Sequence, residues 1–74
     1  MEQEIIALNN EEGQLRLCLD DGDMFPMFKI DPVLLAVELV CEVDDVEREL
    51  LAKLPLKARL TVEQEEITRI SFMG

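Results

Sequence analysis

The stretch Leu15-Arg16-Leu17-Cys18-Leu19-Asp20-Asp21-Gly22-Asp23 decides how the chain is read. Its three leucines alternate with Arg16, Cys18 and Asp20. Successive side chains of a strand point to opposite faces, so the leucines share one face and the charges take the other. Asp21-Gly22 then suits the left-handed backbone of a tight hairpin. A half-buried strand ending in a turn sets a two-residue period against which its neighbours are read.

Upstream, Ile5–Leu8 is a β-prone run that stops at Asn9-Asn10-Glu11-Glu12-Gly13, which reads as a strand followed by a hairpin loop. Downstream, Met24–Ile30 reads as a third strand, with Phe28 and Ile30 on one face and Phe25, Met27 and Lys29 on the other. Pro26 removes one ladder donor there and predicts an edge position or a bulge. Asp31-Pro32 then opens a helix, because aspartate caps free amides and proline at the first helical position gives up a donor that had no partner. Val33, Ala36, Val37, Val40, Cys41 and Val43 trace its apolar face, widened by Leu35 and Leu39, with Glu38 and Glu42 toward solvent. The β-branched content of Val33–Val43 would also suit a buried strand.

Asp44 with Glu47 matches a capping box for a second helical segment with apolar positions Val46, Leu50, Leu51 and Leu54, supported by Asp44–Arg48 and Glu49–Lys53 pairs. The pattern fits one long helix or a kinked pair. Pro55 ends it. Leu56, Ala58, Leu60 and Val62 then alternate with charged and polar residues as a fourth strand, Glu63–Glu66 turns, and Ile67–Met73 closes the set with Ile70 and Phe72 on one face.

The succession β-β-β-α-β-β resembles that of the OB-fold, a five-stranded partly open barrel with its helix between the third and fourth strands. The expected fold is therefore a small α+β domain: a five-stranded antiparallel barrel or sheet in OB-like order, with one long or kinked helix between strands 3 and 4. An SH3-like barrel or an open sheet under one helix is compatible with the same order. The barrel reading gathers Leu15, Leu17, Leu19, Phe28, Ile30, Leu60, Val62, Ile70 and Phe72 into one core with Val37, Val40 and Leu50.

Bulk composition narrows the function. A chain of 74 residues supports a single domain over 1–74, since so short a chain buries only roughly 60% of its unfolded surface. Its 49% hydrophobic content predicts a folded chain despite a net charge of −10. Histidine, tryptophan and tyrosine are absent, which removes the usual general base, the metal-binding imidazole and two of the three base-stacking side chains. Cys18 and Cys41 read as reduced thiols of a cytosolic protein. The N-terminal residues lack a basic signal-peptide region and no apolar run approaches the ~20 residues of a membrane span, so a cytoplasmic location away from membranes is expected.

The acidic run Asp20, Asp21, Asp23 brings three hard oxygen donors together, but on an Asp-Gly turn rather than at the alternating spacing of a calcium loop, and no metal or cofactor is expected. The carboxylates fall in turns, at helix ends or on outer faces, and Cys18 lacks a histidine to activate it, so no catalytic residue is assigned. Residues 1–23 carry seven acids and one base, which repels polyphosphate.

What remains is a surplus of apolar residues beside many carboxylates. The expected function is a non-catalytic, acidic protein-interaction module. In it, Phe25, Met27 and Met73 supply burial, and Glu11, Glu12, Asp20, Asp21 and Asp23 steer a basic protein partner. Two other readings stay open: a single-stranded nucleic-acid binder using Lys57, Arg59 and Arg69, and a homo-oligomeric structural subunit.

Overall fold

A computed structural model describes residues 2–73. The chain forms β1 (Glu2–Glu11), β2 (Gln14–Asp20), β3 (Met27–Ile30), α1 (Pro32–Leu39), a 3₁₀ turn (Val43–Asp45), α2 (Val46–Leu51), β4 (Leu56–Glu63) and β5 (Glu66–Phe72). The strands close into a barrel in the order β1-β2-β3-β5-β4, with β4 returning to β1. The pairings are antiparallel except β3 with β5, which run parallel through Lys29↔Glu66 and Ile30↔Ile67. The element order expected from the sequence is the one observed.

β1 is longer than the apolar run suggests, because its polar residues Asn9, Asn10 and Glu11 pair with Arg16, Leu15 and Gln14. The expected loop shrinks to Glu12 and Gly13, both with positive φ, as a two-residue hairpin turn requires. β3 is shorter than expected. Pairing nevertheless continues past its end, since the Leu19 amide donates to the Pro26 carbonyl at 2.9 Å and the Asp21 amide to the Met24 carbonyl at 3.0 Å.

The core is one cluster. Leu15, Leu17, Leu19, Ile30, Leu60 and Ile70 are buried in it, and Phe28, Val62 and Phe72 pack against it half-buried, so every strand position expected in the core is there. Two further positions enter through irregular registers. A shift between Ile5 and Ala7 on β1 lets both Ile5 and Leu8 face the core, and a shift between Thr61 and Val62 against β5 does the same for Ile67 and Ile70. An extra residue in one strand sharpens its twist and bend, which a small barrel needs in order to close.

The helical segment departs from expectation. It is two helices, because Val40 turns left-handed at φ 54°, ψ 53° and ends α1 at Leu39. Asp31 caps α1 as expected, its Oδ1 accepting from the Val33 amide at 2.9 Å. With the helix stopped there, Cys41 and Val43 no longer extend the valine stripe, and α1 instead buries Leu35 and Ala36 with Leu34 and Leu39 packed beside them. Burying the larger side chains removes more apolar area from water. The assignment of Val37 and Val40 to the core is therefore corrected: both are exposed, as is Val33. Glu38 is half-buried, and its Oε2 accepts from the Phe72 amide at 3.5 Å, covering β5 where β3 no longer pairs with it.

α2 begins after the 3₁₀ turn with Asp45 at its cap position and no side-chain capping bond, so the Asp44–Glu47 box does not form. Arg48 pairs with Asp45 at 3.0 Å. Val46 and Leu50 are buried and Leu51 is exposed. Asn10 of β1 donates a hydrogen bond to Glu47, tying α2 to the barrel.

The β4–β5 turn places Gln64 and Glu65 at φ 52° and 64°. A side chain in the left-handed region costs roughly 1–2 kcal/mol, partly offset by the greater freedom glycine has when unfolded. Glu65→Gly is expected to stabilise the fold by about 0.5–1 kcal/mol, seen as a rise of a few degrees in Tm. Leu17→Ala, at a fully buried position, is expected to cost about 2–5 kcal/mol in urea unfolding.

Candidate functional site

The segment between β2 and β3 brings exposed apolar and acidic side chains together. Met24 and Phe25 are 67% and 59% exposed, and Met27 is exposed beside them at the start of β3. Asp20 closes β2, and Asp21 and Asp23 stand in the turn itself. The local geometry follows from the sequence. Gly22 takes φ 83°, its amide donates to Asp20 Oδ1 at 3.0 Å, and Gln3 Nε2 reaches across from β1 to Asp21 Oδ1 at 3.2 Å. The Cys18 thiol donates to the Phe25 carbonyl at 3.7 Å. Side chains and backbone together pin this tip.

The other residues assigned to partner binding come from other strands. Met73 is half-buried at the end of β5, its amide bonded to the Lys57 carbonyl at 2.9 Å, and it shares a groove with Asp20, Glu4 and Lys57. Following the pairings, β2, β1 and β4 stand between it and Phe25. The registers nevertheless link Met73 to the tip, since Asp20 stands opposite Glu4, Glu4 opposite Lys57, and the Lys57 carbonyl holds the Met73 amide. Glu11 and Glu12 sit at the other end of β2 from Asp20, roughly 20 Å away for a seven-residue strand. Glu11 pairs with Arg16 at 2.7 Å, and both glutamates line a groove with Lys29. Asp20, Asp21, Asp23, Phe25 and Met27 thus fall on one segment, Met73 meets it through the groove it shares with Asp20, and Glu11 and Glu12 lie at the other end of β2.

Of the bases considered for nucleic acid, Arg59 and Arg69 share a groove on the outer face of β4 and β5 with Thr61, Thr68 and Ser71, walled on its far side by Leu34, Val37 and Glu38 of α1. Lys57 lies at another groove, with Met73. Sequence reasoning missed the outward valines of α1, which line a second open groove with Cys41, Glu42 and Asp45. The signal was present in Leu34, Leu35 and Leu39, whose larger side chains compete for the core.

Cys18 and Cys41 are free thiols. Among the described residues, no group of three acidic, thiol or imidazole side chains could hold a metal ion. No described helix is long and apolar enough to cross a membrane. In comparisons with known proteins, no family model matches the chain, nor does any curated protein or solved structure.

Desolvation and then the carboxylates of Glu49, Asp45 and Glu42 hold the Cys41 thiol above its ordinary range, with Arg48 opposing them. A raised pKa means less thiolate at neutral pH. Iodoacetamide at pH 8 is therefore expected to alkylate Cys41 more slowly in the folded protein than in the urea-unfolded chain, with a steeper rise above pH 9, as followed by peptide mass spectrometry.

Proposed function

We propose that this barrel is a non-catalytic interaction module that docks a basic protein partner on the β2–β3 tip. One observation carries the reading: Met24, Phe25 and Met27 stand exposed on a single short segment framed by Asp20, Asp21 and Asp23. Apolar side chains at the centre of a contact supply burial, while carboxylates around them steer a cationic surface and reject an anionic one.

The barrel is OB-like in our reading, on the strength of its strand order and the position of α1 between β3 and β4. OB-folds that bind oligonucleotides use the face of strands 2 and 3 with the loops after strands 1 and 4. Here those loops hold Glu11 and Glu12 on one side and Glu63, Glu65 and Glu66 on the other. Carboxylates stand where such a domain would approach phosphates. That favours a basic protein over nucleic acid, and a partner whose own surface is built to meet polyanions fits the charge best.

The test compares wild type with the double variant Phe25→Asp, Met27→Lys as immobilised bait at low salt. A basic protein released by moderate salt from the wild type and absent from the variant, with unchanged circular dichroism, is the expected result. Equal capture by both baits would overturn the tip as the docking site. Salt-sensitive retention of single-stranded nucleic acid would favour the nucleic-acid reading instead.

A further inference from the structure

The outer face of α1 carries a ridge of valine. Val33, Val37 and Val40 recur at helical spacing on the side away from Leu35, and the last two are 69% and 90% exposed. Val40 also adopts the left-handed conformation at the end of α1. For a β-branched side chain this backbone is strained, and strain of this kind clusters at functional surfaces. A glycine at that position would relieve the strain and remove the apolar side chain.

The two flanks of the ridge differ in sign. On the Ala36 side the groove is closed by Glu42 and Asp45. On the Leu34 side Arg59 and Arg69 line the wall beside the hydroxyls of β4 and β5, and the one carboxylate there, Glu38, is turned to the Phe72 amide, leaving the flank cationic on balance. A uniformly basic partner would meet the arginines, and a uniformly acidic one would meet Glu42 and Asp45. A second copy of this chain answers both flanks together. Turned by a two-fold axis parallel to α1, it sets valine ridge on valine ridge, and the acidic side of each copy faces the arginine side of the other.

We propose that this ridge is the interface of a symmetric homodimer with its two α1 helices side by side and parallel. An isologous contact must be self-complementary, and an apolar strip between flanks of opposite charge satisfies that condition. A stable interface takes roughly 800 Å² from each partner, on the order of a sixth of this chain's 4922 Å² of accessible surface. Three valines do not supply that area alone, so both flanking grooves take part. The net charge of −10 on each copy opposes approach at low salt, and at physiological ionic strength it is screened beyond about 8 Å, leaving the close flank pairs to decide. No residue of the β2–β3 tip lines either groove, so this inference stands apart from the docking of a basic partner.

Sedimentation over low-micromolar to sub-millimolar protein at physiological salt is expected to show a monomer–dimer equilibrium. Val37→Asp, at an exposed position, is expected to weaken it by at least about tenfold with unchanged circular dichroism. A chain with Arg59→Glu and Arg69→Glu and a chain with Glu42→Lys and Asp45→Lys are each expected to be monomeric alone. Mixed in equal amounts, they are expected to form a heterodimer, because one flank contact is then the native pair and the other is restored with its sign reversed. The tip variant Phe25→Asp, Met27→Lys is expected to dimerise as wild type does. Wild type remaining at 8.5 kDa throughout, or a dimer that survives Val37→Asp, would overturn the proposal. So would an equimolar mixture of the two folded charge-reversed chains that stays monomeric.

Discussion

The structure depends on closing five short strands into a ring, and that closure rests on β1. β1 pairs with β2 along most of its length and with β4 through Glu2–Ile5. A strand hydrogen-bonded on both sides must bend to follow the barrel wall, and the irregular register at Ile6 provides the bend while keeping both Ile5 and Leu8 on the core side. The matching irregularity against β5 brings Ile67 and Ile70 inward, so the two strands that flank β4 are adjusted in the same way.

The opposite seam is the shortest. β3 and β5 share two residue pairs, and beyond them the β5 backbone would lie open. α1 packs against that position, with Glu38 turned inward to the Phe72 amide rather than outward to solvent. The helix is thus a wedge in the barrel wall, and its burial of Leu35 and Ala36 follows from that place. Because the wedge turns its leucines inward, its valines remain outside, and the same constraint that completes the fold leaves the apolar ridge.

Much of this was legible in the residues. Strict alternation at Leu15–Leu19 and Leu56–Val62 fixed which faces are buried, because a two-residue period admits one assignment once a core exists. Asp31-Pro32 marked the helix start through local capping chemistry. The phase of α1 was not legible, since leucines and valines lay all around the helix and the choice between them was made by contacts with β5 and α2. Val40 was equally opaque, because nothing in a valine announces a left-handed turn. The bulges escaped for a related reason: Ile5 and Leu8, or Ile67 and Ile70, are three apart, a spacing that reads as helical or irregular until the registers of the neighbouring strands are known. Among the candidate site residues, those contiguous in sequence, Asp20–Met27, came together, while Met73, Glu11 and Glu12 depended on the wrapping of the barrel.

The pinned β2–β3 tip has a consequence for recognition of any kind. Its turn is held by the Asp20 and Asp21 carboxylates, by the backbone bonds from Leu19 and Asp21, and by a side chain reaching over from β1. A loop that must be ordered on contact gives up conformational entropy at that moment, and its affinity falls accordingly. Here those bonds order much of the turn as the chain folds. The proposed docking at Phe25 would therefore order little further backbone and meet comparatively little entropic opposition.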